Sequence, residues 1–231
     1  MPLSSAPAGS APGAPRSADV ARAAPVVARI ERRDERRAAA VLARAFRDGP
    51  ISRAVVGGDP RQRLRSNRHG MRVALRGARS TGSVLQISRR GATRDSGAAP
   101  LGILLAIEPG LFPLDPPSLP GQLYSAWVQG VRVATRWGLV YRALEAVHPR
   151  DPHWYLSLLG VDPVHQGRGL GRALLDAWLA EVDRGGQPSY LETDREANLR
   201  FYARAGFGVA RQTEVLGVRI FCLWRPGRLS P

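Results

Sequence analysis

Lysine is absent from this chain, and acidic residues are scarce relative to basic ones. Arginine supplies all 34 basic side chains of the 231 residues, against 19 acidic ones, which leaves a formal charge of +15 at pH 7. A charge of this size is typical of proteins that bind nucleic acid or acidic membranes. The exclusive use of arginine, together with many alanines, glycines and prolines, instead indicates a GC-rich coding bias. The charge by itself therefore predicts neither partner.

Cysteine occurs once, and long apolar runs do not occur. The single Cys222 excludes an intrachain disulfide and a metal site made of several cysteines. It lies in the alternating stretch 218–224, which favours a buried, reduced thiol and is consistent with a cytoplasmic protein. No run of about 18 apolar residues is present, so we expect no transmembrane helix and no membrane partner.

The chain divides by composition into one domain and two short tails. Residues 1–25 are rich in Ala, Pro, Ser and Gly and lack the continuous apolar core of a secretory signal, so we expect a disordered tail there. A single domain is expected over residues 26–226, with a short tail over 227–231. Helical and strand-like patterns alternate along that domain, which predicts an α/β sandwich around a mixed sheet of about six or seven strands. The expected strands are 25–30, 83–88, 101–107, 153–161, 189–193, 207–214 and 217–225, and the expected helices are 38–46, 61–78, 120–147, 169–184 and 195–205.

A glycine-rich loop joins a predicted strand to a predicted helix. The strand ends at Asp162-Pro163, residues 166–171 read Gln-Gly-Arg-Gly-Leu-Gly, and an amphipathic helix follows. Glycines let a backbone approach an anion, and the N–H groups at a helix N-terminus bind it, so this order predicts a phosphate cradle. No Gly-Lys-Ser/Thr follows, and the Gly-x-Gly-x-x-Gly spacing is absent. The loop is therefore neither a nucleotide P-loop nor a dinucleotide fingerprint.

This loop and the residues after it resemble a known enzyme family. The spacing Gln-x-x-Gly-x-Gly is similar to the acyl-CoA loop of the GNAT N-acetyltransferases. Residues 190–193, Tyr-Leu-Glu-Thr, then read as the next strand. Residues 198–207 match the family's Asn-x-x-x-Tyr-x-x-x-Gly-Phe ending. The resemblance spans about 153–225 and is greatest to the puromycin N-acetyltransferase-like branch, which residues 45–50 also resemble.

The resemblance implies a fold, a co-substrate and a reaction. The implied fold is the acyl-CoA N-acyltransferase fold, a three-layer α/β/α sandwich whose mixed central sheet is mostly antiparallel. The implied reaction transfers the acetyl group of acetyl-CoA to a primary amine of a small molecule by direct attack, without a metal. The residues implied to bind acetyl-CoA lie on the strand edge, in the loop and at a later helix start: Leu159, Val161, Gln166, Gly167, Arg168, Gly169, Leu170, Gly171, Arg172 and Asn198.

Two of the matched residues carry implied chemical roles. Tyr202 resembles the family tyrosine whose hydroxyl approaches the sulfur, and a phenol of pKa about 10 is a suitable acid for the leaving thiolate. The alternative for Tyr202 is a helix tyrosine that packs against the sheet. Asn198 resembles the family asparagine that bonds the cofactor arm, and its alternative is a capping residue at the helix start.

Glu192 is the predicted general base, because a glutamate holds this Leu-Glu-Thr position in the resembling branch. Its alternative is a structural glutamate paired with an arginine. His153 and Tyr155 begin the motif strand and are alternative residues for lining the acceptor site. His165 lies inside the loop, so we interpret it as structural. The spacing of His, Cys and acidic residues does not indicate a metal site.

Three other functions stay open from the sequence. The same fold could acetylate a peptide or protein amine, and a noncatalytic CoA-binding protein would share the loop. The arginine-rich stretch 61–79 raises nucleic-acid binding, but it lacks the interleaved aromatic residues of such sites, so the pattern does not favour it. We expect a monomer or a homodimer.

Overall fold

The computed structural model describes residues 25–78, 81–89, 99–113 and 118–227. The two predicted tails lie almost entirely outside these ranges, apart from Pro25 in the first strand and Gly227. The tail and domain boundaries therefore remain predictions. No helix of the described ranges is both long enough and apolar enough to cross a membrane.

Seven strands form one mixed sheet, as the sequence predicts. Their order across the sheet is β1-β2-β3-β4-β5-β7-β6. Only β4 and β5 run parallel, and the other five neighbouring pairs are antiparallel. The strands are β1 (Pro25–Arg29), β2 (Gly82–Arg89), β3 (Gly102–Ile107), β4 (Trp154–Val161), β5 (Ser189–Thr193), β6 (Gly208–Val215) and β7 (Val218–Arg225).

Helices cover both faces of the sheet and complete three layers. On one face, Leu42 and Leu75 from two helices pack with the strand residues Ile103 and Tyr155. The opposite face is covered by a helix that buries Trp178 and five other apolar side chains in one stripe. The described helices are α1 (Glu35–Ala45), α2 (Pro50–Val56), α3 (Pro60–Gly77), α4 (Leu119–Gln129), α5 (Val131–Val147), α6 (Leu170–Arg184) and α7 (Leu199–Ala203). This architecture is the α/β sandwich expected from the sequence.

Three helical predictions differ from the structure. The single helix expected over 120–147 is two helices, because Gly130 adopts φ +87°, which ends α4 and starts α5 in a new direction. The Gly49-Pro50 pair begins α2 rather than only stopping α1, since proline suits the first helical turn. The last helix is shortened to five residues, which follow a 3₁₀ turn at Glu196–Asn198.

The parallel pair β4 and β5 separates soon after it forms, and this creates a fork in the sheet. Its pairing ends at Leu156 with Leu191. Beyond that point β4 stays with β3 as far as Val161, and β5 stays with β7 as far as Thr193. Ser157 is an extra residue in the β3–β4 ladder, a bulge that re-aims β4 where the fork opens. The fork leaves one edge of β4 without a strand partner.

Candidate active site

The free edge of β4 presents backbone amide groups to the fork. Asp162 donates its N–H to the carbonyl of Leu101, on the β3 side. Because the amide groups of a strand alternate in direction, those of Leu159 and Val161 point to the opposite side, where β5 has left. This is the geometry that an extended ligand needs in order to add as a strand, and it fits the predicted contacts at both residues.

The glycine loop holds an open shape with positive φ angles that other residues do not adopt readily. Gly167 has φ +74° and Gly169 has φ +77°, and a Cβ built on either residue meets nothing within 4 Å. Glycine is therefore required here by backbone conformation, while the space beside it stays open. The loop is fixed at its start because Arg44 on α1 donates from Nε to the Asp162 carboxylate at 2.9 Å.

The N-terminus of α6 follows the loop directly and lies at the end of the fork. Ala173 donates the first helical hydrogen bond, to the carbonyl of Gly169. Three N–H groups of the first turn therefore have no acceptor in the backbone of the helix, those of Leu170, Gly171 and Arg172. A Cβ on Gly171 would lie 3.6 Å from Cγ2 of Val161, so this turn of α6 touches the open edge. The site offers an anion several converging N–H groups and a helix dipole.

The polar side chains of the loop are engaged within the protein. Gln166 donates from Nε2 to the carbonyl of Val161 at 3.0 Å, which ties the loop back to β4. Arg168 donates to the carbonyl of Val164 at 3.4 Å. Arg172 forms an ion pair with Asp176 at 2.8 Å and also donates to the carbonyl of Arg204. Backbone groups thus dominate the cradle, and direct anion contacts by the two arginines remain a prediction.

Tyr202 lies on the α6 face of the sheet, in the same apolar cluster as Leu156 and Leu191. These two strand residues are the last pair before the fork opens. The Tyr202 ring packs against Phe201 and Phe207 and is 7% exposed. Burial raises the pKa of its hydroxyl above 10, so the phenol stays protonated at neutral pH. The ring has the packing of a core residue and also borders the fork, so acid catalysis remains a prediction.

Asn198 immediately precedes α7 and makes no capping hydrogen bond with its side chain. It donates from Nδ2 to Oγ1 of Thr193, at the end of β5, with a distance of 3.0 Å. Asn198 thus holds the N-cap position without a capping hydrogen bond, and its side chain joins α7 to the far arm of the fork. Contact with a cofactor remains a prediction.

Glu192 is the first residue of β5 beyond its last pair with β4. Side chains alternate along a strand, so Glu192 points to the α1–α3 face, opposite to the face that carries Leu191 and Tyr202. Its ion-pair partner is His148 at the end of α5, with 3.6 Å between Oε1 and Nδ1, and not an arginine. Both side chains are buried, with exposures of 7% and 5%. The predicted acid and the predicted base thus approach the fork from opposite faces.

A buried cluster of aromatic rings and histidines surrounds this pair. Phe112 stacks on His148 with 3.7 Å between ring centroids, and Tyr155 and Tyr190 present their edges to it at 4.8 Å. His153 lies beside it, with 3.0 Å between the two Nε2 atoms. The prediction that His153 and Tyr155 lie near the chemistry fits this arrangement. His148 was not predicted, because its sequence context, His-Pro-Arg-Asp-Pro, signals only the end of a helix.

Four neighbours of Glu192, namely Tyr155, Tyr190, Cys222 and His153, are neutral at pH 7. Burial, followed by the charge of Glu192, raises the pKa of the Tyr155 and Tyr190 hydroxyls above 10. Burial also raises the pKa of the Cys222 thiol and lowers the pKa of His153. Within the described ranges, no group of three or more His, Cys, Asp or Glu residues is placed to hold a metal ion. The cluster is suited to proton transfer at a single carboxylate.

Part of this chain matches a known protein family and a curated relative. Residues 122–209 match the family model of the acetyltransferase (GNAT) domain. A mycothiol acetyltransferase of Propionibacterium freudenreichii is 41% identical over 61 residues, which is 25% of this chain and 20% of the relative. The match thus spans about a fifth of that curated relative. The nearer resemblance to the puromycin N-acetyltransferase-like branch stays a prediction.

Two solved structures share the whole fold. A Corynebacterium glutamicum structure described as histone acetyltransferase HPA2 and related acetyltransferase has a TM-score of 0.66 and 20% identity, covering 89% of this chain and 98% of that one. The PaiA N-acetyltransferase of Thermoplasma acidophilum, in complex with coenzyme A, has a TM-score of 0.51 and 12% identity, with 88% and 99% coverage. At such identities the likeness concerns the fold. Residues 122–209 of this chain thus match the GNAT acetyltransferase domain model, and the chain shares its fold with these two structures.

Proposed function

We propose that the protein is an acetyl-CoA-dependent N-acetyltransferase that acetylates a primary amine of a small molecule by direct attack. The observation that carries the proposal is the fork between β4 and β5. An unpaired strand edge and a helix N-terminus lie along one arm, and Glu192 stands where the arms separate.

A free strand edge and a glycine loop before a helix N-terminus support the assignment of acetyl-CoA as co-substrate. The amides of Leu159 and Val161 would pair with the pantetheine arm, and the N–H groups of residues 167–171 would receive the pyrophosphate. The open space around Gly167 and Gly169 leaves room for those oxygens. The coenzyme A complex of the Thermoplasma acidophilum neighbour supports this assignment.

Glu192 and Tyr202 divide the proton transfers between them. An alkylamine with a solution pKa near 10.4 must lose a proton to act as a nucleophile and a second one after attack. Glu192 accepts the proton released as the N–C bond forms, and Tyr202 gives its hydroxyl proton to the thiolate as the C–S bond breaks. Solvent takes the proton that the ammonium loses before attack, removes the proton from Glu192 and returns one to Tyr202, so the overall products are the amide, the free thiol and one proton.

A small acceptor fits this site better than a folded protein does. Glu192, His148 and Tyr155 are each less than a tenth exposed. Helices α4 and α5 pack against α3 and β6 and so cover the same side of the sheet. A peptide acceptor would need its amine to reach a carboxylate that is already enclosed. The match to a mycothiol acetyltransferase supports acetyl transfer as the reaction.

The proposal is tested with acetyl-CoA and a panel of amines that includes aminonucleosides and short peptides, by following thiol release. Acetyl-CoA at 100 times its dissociation constant should add about 2.7 kcal/mol to the free energy of unfolding. Gly169→Asp should abolish this stabilisation, because it adds a side chain and a negative charge inside the cradle. Gly138→Asp, on α5, is the matched control and should leave acetyl-CoA binding intact. No stabilisation at millimolar acetyl-CoA would contradict the proposal.

A further inference from the structure

We propose that His148 and Glu192 hold a single proton between them, and that His148, oriented by His153, positions Glu192 to take that proton from the attacking amine. The inference rests on the proposed function, and it assigns a role to two histidines that neither the sequence motifs nor the comparisons assign. It follows from counting donors and acceptors along a buried chain of four groups.

The chain begins at a group that can only accept. Nδ1 of His153 lies 2.6 Å from the backbone carbonyl oxygen of Asp151. A carbonyl has no proton to give, so Nδ1 of His153 carries the hydrogen. Burial lowers the pKa of this imidazole below 6.5, which keeps His153 neutral at pH 7. Its other nitrogen, Nε2, therefore bears a lone pair and accepts.

The same logic fixes the proton on the next ring. Nε2 of His153 lies 3.0 Å from Nε2 of His148. Since the former accepts, Nε2 of His148 must donate. In a neutral His148 the remaining nitrogen, Nδ1, then carries a lone pair, and it faces Oε1 of Glu192 at 3.6 Å.

The arrangement leaves one proton position to be filled. Neither Nδ1 of His148 nor Oε1 of Glu192 has a hydrogen-bond partner within the described residues, and both atoms are fully buried. Two lone pairs facing each other away from water are unfavourable, and one proton between them removes the conflict. We assign this proton to Nδ1 of His148, the ring atom that lies 3.6 Å from Oε1 of Glu192.

The surroundings favour the loaded pair, and the other charges nearby act on its neighbours, Asp151 on His153 and Arg211 on Cys222. Phe112 stacks on His148, and a ring face attracts a cation at that distance. The titratable groups that face the pair from the neighbouring strands are Tyr155, Tyr190 and Cys222, and burial raises the pKa of all three. They remain neutral at pH 7, so the proton released at Glu192 has His148 as its partner.

In the reaction the empty pair is the active form. The amine nitrogen forms its bond to the acetyl carbon, and the C–S bond breaks to release a thiolate that takes the Tyr202 proton. The N–H proton passes to Glu192 and is held against Nδ1 of His148. Solvent removes it before the next turnover. His148 acts through Glu192 and is a positioning residue, and His153 sets which nitrogen of His148 receives the proton.

The first test measures by NMR which ring nitrogens of the histidines carry protons, and it needs no acceptor substrate. The chain has four histidines, so long-range ¹H–¹⁵N spectra resolve each ring. At pH 7 we expect His153 as the Nδ1–H form and His148 protonated at Nδ1. In Glu192→Gln the amide donates to that nitrogen, so Nδ1 of His148 should lose its proton at the same pH. An Nε2–H form of His153, or a His148 signal unchanged in Glu192→Gln, overturns the inference.

The second test uses turnover. His148→Gln should lower kcat about 10²-fold, with acetyl-CoA affinity unchanged, and should move the acidic limb of kcat/KM to lower pH, because a lone carboxylate loses its proton more readily than the pair. His69→Gln, on α3, is the matched control and should keep the wild-type profile. A wild-type profile in His148→Gln overturns the inference. Absence of turnover in the wild-type protein, with the coupled spectra intact, would instead count against the proposed function.

Discussion

Replacing Tyr202 by phenylalanine separates acid catalysis from packing. The ring is 7% exposed and lies between Phe201 and Phe207. Within the described residues its hydroxyl makes no side-chain hydrogen bond. Tyr202→Phe therefore keeps every ring contact and removes one oxygen that has no hydrogen-bond partner among the described residues. The free energy of unfolding should change by less than about 1 kcal/mol.

The effect on the reaction should be much larger than the effect on the fold. A positioned general acid typically contributes at least about 10²-fold, which corresponds to about 2.7 kcal/mol of transition-state stabilisation. We expect kcat to fall by that factor while the affinity for acetyl-CoA stays within twofold. Because burial raises the pKa of the Tyr202 hydroxyl, the wild-type rate should show no loss of acid function below pH 10.

The assay follows the released thiol with a chromogenic disulfide, and calorimetry measures the binding of acetyl-CoA. Background from the protein is low because its single cysteine, Cys222, is 1% exposed. Tyr124→Phe is the matched control, since that ring is 57% exposed on α4. A kcat of Tyr202→Phe within threefold of wild type would refute the acid role. A normal kcat with weakened acetyl-CoA affinity would make Tyr202 a binding contact.

Two further predictions concern the scaffold of the site. Hydrogen bonds from Arg47 and then Arg63 lower the pKa of Asp48 to about 2, so its contribution is present above about pH 4 and is lost as the pH falls towards 2. In urea titrations, the stability difference between wild type and Asp48→Asn should shrink over that interval; a constant difference would contradict this reasoning. A Cβ on Gly160 would lie 2.9 Å from Cδ2 of Leu42, so Gly160→Ala should cost about 1–3 kcal/mol, whereas Gly138→Ala, with open space around it, should cost nothing. Equal melting temperatures for the two variants would refute the packing argument.

The sequence predicts those parts of the fold whose signals are local. The helix expected over 169–184 is observed as Leu170–Arg184, because its apolar stripe and its glycine start are both contiguous in sequence. All seven strands lie within about two residues of their expected positions. By contrast, the division of 120–147 at Gly130 depends on a positive φ, and helical periodicity on either side hides it.

The candidate site, like the fold, could be predicted from the sequence only where its residues lie close together in the chain. The glycine loop and the position of Glu192 follow from spacing within one stretch of chain. The partner of Glu192 does not, since His148 precedes it by a whole βαβ unit and reaches it only because α5 ends over the fork. Nothing in the local pattern distinguishes His148 from an ordinary helix terminator. Likewise, the spacing of Arg172 suggested an anion contact, and only the folded helix reveals Asp176 as its partner.

The packing of α1 against β4 has a consequence for truncated forms of the protein. Leu42, Ala45 and Phe46 surround the Cα of Gly160, and Arg44 anchors Asp162, so the cofactor edge is held from the far side by residues more than a hundred positions earlier. The segment that matches the family model, 122–209, contains the loop and both arms of the fork but not this support. Expressed alone, it would also lack β3 and β7, the outer neighbours of the two arms. We therefore predict that the segment 122–209 does not fold alone, and that a fragment for testing the proposed coenzyme binding has to begin before Glu35.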